Sequence, residues 1–208
     1  FPGVNVVQRT VRSYPYGTTA AHLLGYVGPI TRTEWEARNQ LIDPDDQAAK
    51  TYQLNHEIGK TGVELIFEDE LRGVPGTRFI EVDASRKVGR EYDYVPPVPG
   101  NDVWLSIDLD LQALAEQELA TGLAAARSRT PQDGAPPNVA AAGSVVAIDP
   151  RNGDLLAMAS FPTYEPADFV NGITATQFGE LTSEDNFSPI LNRAIQGTYA
   201  PGSTFKLV

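Results

Sequence analysis

The sequence predicts a mixed α and β chain built in two parts. Three observations carry that reading. Within the first hundred residues, alternating β-branched runs (Val4 to Arg12, Arg78 to Val82) sit among helical periods such as Val63 to Leu71. A stiff connector then follows, Pro96-Pro97-Val98-Pro99-Gly100. Beyond it, one long amphipathic segment, Leu109 to Ala126, precedes two apolar strands separated by a turn.

Each element has a local cause. Val4 to Arg12 alternates and is rich in Val, the signature of a half-buried strand. Tyr14-Pro15-Tyr16-Gly17 supplies turn chemistry, and Ala20 to Tyr26 is a short apolar helical turn closed by Gly25. Thr33 with Glu36 has capping-box spacing for a helix from Thr33 to Leu41, and Asp43 to Gln47 is a polar loop. Apolar residues at Val63, Ile66, Phe67 and Leu71 give a helical period that ends at Arg72-Gly73. Past the connector, Val103 to Ile107 reads as a strand, and Asp108 caps the helix Leu109 to Ala126. Leu111, Leu114, Ala115, Leu119, Leu123 and Ala126 share one face of that helix. Residues 127–143 form an exposed excursion, and Ser144 to Ile148 pairs with Leu155 to Ser160 across the turn DPRNGD. The division into two parts is placed between residues 100 and 101.

Composition removes several functions. Lys and Arg total 16 against 27 Asp and Glu, a net charge of −11 that repels phosphate backbones and argues against nucleic acid as a partner. The absence of cysteine excludes disulfides, thiolate catalysis and Cys-based metal sites. His22 and His56 are too few for a multi-histidine centre and read as hydrogen-bonded or surface groups. No signal peptide or transmembrane run is present, and both ends look cut.

One spacing carries chemistry. In Tyr199 to Lys206, YAPGSTFK, Ser203 opens a helical segment after Pro201-Gly202, and Lys206 follows three residues on, on the same face. Acyl transfer needs a nucleophilic oxygen, a base for its proton and donors for the oxyanion. A desolvated amine can serve as that base, and the amide at a helix start can serve as a donor. The spacing alone is weak evidence, since chance placement of nine Ser and four Lys gives about 0.2 such pairs. Lys60-Thr61-Gly62 spells another motif of serine acyl-transferases but precedes a helix rather than lying on a strand, so it reads as a structural turn. Trp104 reads as a core residue rather than a ligand platform. Glu64 reads as a turn brace rather than an acid catalyst.

The surrounding residues resolve the ambiguity. LNRAIQGTYAPGSTFK resembles the nucleophile segment of class B penicillin-binding proteins. GSVVAIDPRNGDLLAMASFPTYEP resembles the first hairpin of their transpeptidase domain, and FVNGI resembles the segment after it. IGKTGVELIFEDELRGVPG looks like the turn-and-helix motif of their non-catalytic domain. SYPYG and HLLGYVG are similar to the elongation-type subfamily, penicillin-binding protein 2.

The resemblance implies an α+β pedestal, or dimerisation-type, domain over residues 1–100. The N-terminal part of an α/β, β-lactamase-like transpeptidase domain would follow over residues 101–208. It implies Ser203 as nucleophile toward the D-alanyl-D-alanine end of a peptidoglycan stem peptide, with Lys206 as general base and no cofactor. β-Lactams would acylate the same serine. The pedestal would dock a SEDS-type membrane glycosyltransferase and a shape-determining activator. The protein would sit on the outer face of the plasma membrane, held by an anchor outside this chain. The later Ser-x-Asn and Lys-Thr/Ser-Gly elements are missing, so residues 1–208 alone are expected to be inactive. Three alternatives share parts of the pattern: a β-lactamase or β-lactam sensor, a division-type transpeptidase, and a non-catalytic scaffold.

Overall fold

The computed structural model describes residues 10–42, 51–82, 88–130, 136–170 and 172–200. In chain order the regular elements begin with α1 (Ala21–Leu24), β1 (Val27–Pro29), α2 (Arg32–Gln40) and β2 (Glu57–Gly59). Then come α3 (Gly62–Ile66), α4 (Glu68–Leu71), β3 (Thr77–Val82) and β4 (Val88–Val95). The second half holds α5 (Leu109–Ser128), β5 (Gly143–Ile148), β6 (Leu155–Phe161), α6 (Ala175–Thr182) and α7 (Arg193–Gln196). Single 3-10 turns at Pro166–Phe169 and Glu184–Asn186 join the last of these. The strands pair antiparallel as β1 with β2, β3 with β4, and β5 with β6.

The turn at Tyr14 to Gly17 forms as expected, with Gly17 N donating to Tyr14 O at 3.1 Å. The strand expected at Val4 to Arg12 falls mostly outside the described residues, and Thr10 to Ser13 is irregular. The polar loop at Asp43 to Gln47 lies outside them as well. Helix α2 starts two residues earlier than the Thr33 cap predicts. Thr31 is the cap, and a complete capping box joins it to Glu34. Both threonines have a glutamate three residues on, and packing decides between them. With Thr31 as cap, Ile30 precedes the helix and Trp35 occupies its fourth position, and the two meet in one apolar cluster with Tyr52 and Ile58. That is a hydrophobic staple, which a Thr33 cap would replace with Arg32 and Ala37.

The single helix expected from Val63 to Leu71 is divided. Phe67, at φ −105° and ψ 23°, breaks it into α3 and α4. Ahead of it lies the turn Lys60-Thr61-Gly62, where two glycines let main chains touch. A Cβ on Gly25 would lie 1.9 Å from Thr61 O, and one on Gly62 would lie 2.4 Å from Leu23 O. Both residues also sit in the left-handed region, at φ +79° and +60°. The end of α1 is thus clamped directly onto the turn.

The connector closes back on the first part. Val74 and Val98 exchange main-chain bonds at 2.8 and 2.9 Å, and Asn101 N donates to Glu70 O. The strand expected at Val103 to Ile107 does not form. Residues 101–108 run irregularly along the open edge of β6, with Ser106 Oγ donating to Leu155 O and Asp108 N to Leu156 O. Asp108 then caps α5 through Leu111 N, as expected. The hairpin β5–β6 is antiparallel from Gly143↔Phe161 to Ile148↔Leu155, with Gly153 at φ +83° in its connecting turn. Asp149 O and its carboxylate accept from Gly153 N and Arg151 N, which closes that turn.

The aromatic core does not respect the connector. Ala21, Tyr164 and Phe169 form one buried cluster, joined by Tyr26 from the first half and Ile173, Leu181 and Ile190 from the second. Tyr26 stacks on Phe169 at 3.6 Å, and Tyr164 donates its hydroxyl to Ala21 O.

We expect Gly25→Ala to destabilise the intact protein by about 2–4 kcal/mol, from main-chain overlap and left-handed strain together. Urea unfolding measures this, and a loss below about 0.5 kcal/mol would mean that the α1 contact yields easily.

Candidate active site

Ser203 and Lys206 lie outside the described residues. The structure instead defines the scaffold that leads into them: strand β6, the loop from Phe187 to Asn192, helix α7, and the chain through Tyr199 and Ala200.

That scaffold is organised by a polar side chain the helical periodicity does not flag. Gln112, on α5, is fully buried. Its Nε2 donates to Met158 O at 3.0 Å, and its Oε1 accepts from Met158 N at 2.7 Å. The carboxamide therefore takes the place of a neighbouring strand at that residue of β6. A second Nε2 hydrogen goes to Glu116 Oε1 at 2.7 Å, and the same oxygen accepts Ala20 N from the first half at 2.8 Å. Of the expected apolar face of α5, Leu111, Ala115, Leu119, Leu123 and Ala126 are half-buried, while Leu114 is exposed.

At the next layer Ser160 Oγ donates to Leu191 O and accepts from Arg193 N. Asn192 caps α7 through Ala194 N, and its Nδ2 donates to His22 O at 3.2 Å. His22 is buried, and its Nε2–H donates to Pro189 O at 2.7 Å. Burial lowers its pKa, and the nearby Arg193 charge lowers it further. His56 also takes a structural role, its ring nitrogen accepting from Gln53 N.

The other residues singled out by sequence separate cleanly. Lys60 points its ammonium at Glu34, 2.7 Å away. Burial alone would raise the Glu34 carboxyl, but hydrogen bonds from Lys60 and Thr31 outweigh it and hold the group at about 2. Lys60-Thr61-Gly62 is therefore structural. Glu64 is buried and braces the Tyr14 turn, accepting from Arg12 Nη2 at 2.8 Å and from the Tyr14 hydroxyl. Burial raises its pKa while Arg12 opposes the shift. Trp104 corrects the sequence expectation: it is 94% exposed and packs into no core among the described residues. The irregular path of residues 101–108 is the reason, because no strand pairing turns the indole inward. Among the described residues, no group of three or more His, Asp or Glu side chains is placed to hold a metal ion.

Comparison with known proteins gives this scaffold a family. Residues 1–105 match the penicillin-binding protein dimerisation domain, and residues 143–208 match the penicillin-binding protein transpeptidase domain. The chain belongs to the penicillin-binding proteins, with a dimerisation domain followed by part of a transpeptidase domain. It is 39% identical over 207 residues to the peptidoglycan D,D-transpeptidase MrdA of Acinetobacter baumannii, covering 99% of this chain and 26% of that protein. A solved chain from a peptidoglycan synthase complex coordinating polymerization and crosslinking aligns with TM-score 0.73 and 35% identity, over 95% of this chain and 31% of the other. The penicillin-binding protein PBP2 of Helicobacter pylori, solved in complex with MreC, aligns with TM-score 0.58 and 28% identity, over 88% of this chain and 29% of the other. The chain thus spans about a quarter to a third of the length of these relatives.

Two outcomes follow. Replacing Gln112 by Ala orphans the main-chain N–H and C=O of Met158, so a loss of about 2–4 kcal/mol is expected in denaturant unfolding of the intact protein. Because the folded pKa of His22 lies below its unfolded value of 6.5, its contribution is complete above that value and is lost as pH falls through the folded pKa. The melting temperature of the wild type should therefore drop more steeply on acidification than that of His22→Gln, in which an amide can still donate to Pro189 O. Parallel curves would mean that His22 titrates alike in both states.

Proposed function

We propose that the intact protein is a peptidoglycan D,D-transpeptidase of the elongation type, acting through Ser203 with Lys206 as general base. The observation that carries this reading is the match of residues 143–208 to the transpeptidase domain, with Ser203-Thr204-Phe205-Lys206 lying inside it.

The Ser203 hydroxyl attacks the carbonyl of the penultimate D-alanine, and its proton passes to the Lys206 amine. The tetrahedral oxyanion collapses, and the bond to the terminal D-alanine breaks. The departing amine takes up the proton, and an ester to Ser203 remains. An amine of a neighbouring stem peptide then attacks that ester. It forms the new amide and returns a hydrogen to Ser203. A β-lactam opens its ring at the same serine, but its leaving nitrogen stays tethered, so the adduct persists. Lys206 can accept a proton only when neutral, which desolvation and neighbouring cations favour.

We place the division between the two domains at residues 100 and 101, at the end of the Pro96–Gly100 connector. The first domain would dock a SEDS-type membrane glycosyltransferase and a shape-determining activator. The relatives found in a synthase complex and with MreC support this. Action on stem peptides places the protein on the outer face of the plasma membrane. No helix of the described residues is long and apolar enough to cross a membrane.

Mass spectrometry after treatment with a penicillin tests the reading. The intact protein should gain one covalent adduct on Ser203, and Ser203→Ala should gain none. Residues 1–208 alone should stay unlabelled, because the Lys-Thr/Ser-Gly strand is not part of them. An adduct that survives Ser203→Ala places the nucleophile elsewhere, and rapid release of the wild-type adduct favours a hydrolase.

A further inference from the structure

The loop ahead of α7 contains two consecutive non-glycine residues in the left-handed region, Phe187 at φ 57° and Ser188 at φ 41°. A non-glycine residue in this region is strained and persists only when its surroundings overdetermine it. Phe187 N and Ser188 N donate back to Glu184 O and Ser183 O, which closes the turn on one side, and Arg193 holds its carbonyl groups on the other. Arg193 is buried, and among the described residues its guanidinium donates only to main-chain carbonyl oxygens. These are Ser188 O at 3.1 Å, Leu191 O at 3.4 Å, and Phe187 O. The main-chain N–H of Arg193 is anchored to β6 through Ser160 Oγ at 3.0 Å, and its main-chain oxygen accepts Gly197 N.

For stability alone this is a poor choice. A buried cation satisfied only by dipoles carries a desolvation cost that an apolar side chain would avoid. What arginine adds is a planar fork of donors in fixed geometry, able to hold several carbonyl groups at once. The clamp sits where the chain turns off the hairpin and enters the segment that reaches Ser203 ten residues later.

We propose that Arg193 is a positioning residue for the nucleophile. It locks the strained turn from Phe187 to Asn192 against β6 and so fixes the path by which residues 197–200 deliver Ser203. This rests on the transpeptidase reading above. Its effect should fall on the chemical step, because a displaced nucleophile loses alignment even when the ligand still binds.

The test is the acylation kinetics of the intact protein with a reporter penicillin, read as a saturating rate constant and a half-saturation concentration, beside circular dichroism. In Arg193→Gln the rate constant should fall at least about tenfold while half-saturation stays within about threefold. Arg193→Lys, which keeps the charge but not the fork, should recover only part of the loss. A folded Arg193→Gln protein with a rate constant within about twofold of wild type overturns the proposal, as does a change confined to half-saturation. If neither Arg193 variant folds, Ser160→Ala decides. It removes the hydroxyl bridging Leu191 O and Arg193 N, and it should slow acylation about threefold, whereas an unchanged rate rejects the clamp. Wild-type protein that forms no adduct on Ser203 defeats the transpeptidase reading and the clamp together. A normal wild-type adduct with unaltered variants defeats the clamp alone.

Discussion

The open edge of strand β6 is the constraint around which the described structure is arranged. A two-stranded hairpin leaves half of its main-chain donors and acceptors without ladder partners, and β6 is too deeply buried for water to serve. Gln112 answers this with one carboxamide that meets both the N–H and the C=O of Met158. Asn39 does the same for Tyr52 in the first half, accepting from its N–H and donating to its carbonyl. In both places a helix satisfies a residue's main-chain N–H and C=O with one amide side chain, at a strand edge for Met158 and in an irregular segment for Tyr52. Once Gln112 is fixed, Glu116 has one oxygen shared between α5 and Ala20, which adds one tie between the two halves of the chain.

The rest of the junction is built from close main-chain approach. Gly25 and Gly62 let α1 touch the turn after β2, which aims His22 toward Pro189 and its carbonyl toward Asn192. Few of these contacts involve opposite charges. They are dipoles in a dry interior, where hydrogen bonds are strong and a missing partner is expensive. Such an interface holds its geometry well and tolerates substitution badly.

Much of this was legible in the residues. The Asp108 cap, the long helix after it and the hairpin around DPRNGD follow from local chemistry that tertiary contacts did not override. The first turn of α2 was ambiguous because Thr31 and Thr33 offer the same spacing, and only the meeting of Ile30 with Trp35 separates them. The strand expected at Val103 to Ile107 does not form because alternation describes a side-chain pattern, while a strand also needs a ladder partner; the contacts to β6 here are the Ser106 hydroxyl and, one residue past the segment, Asp108 N. Trp104 is exposed rather than in the core for the same reason. At the site, Ser203 and Lys206 are proposed from their neighbours in the sequence and lie outside the described residues, while no sequence pattern points to Gln112, Ser160 or Arg193. Their importance comes from main-chain groups that fold back onto them, and no spacing rule encodes that. The Asn192 cap was the one available signal, an asparagine directly before a short helical run.

The aromatic cluster shared by Tyr26, Tyr164 and Phe169 has a consequence for how the molecule comes into being. Its partners are separated by up to 143 residues of chain, and the His22–Asn192 bond spans 170. Until the chain is present through Asn192, the face of the early segment that carries Ala21, His22 and Tyr26 stays uncovered. The seam between the halves therefore cannot close before the second half is present. A chain cut short near the connector would carry a greasy, incomplete flank, which quality-control proteases would be well placed to notice.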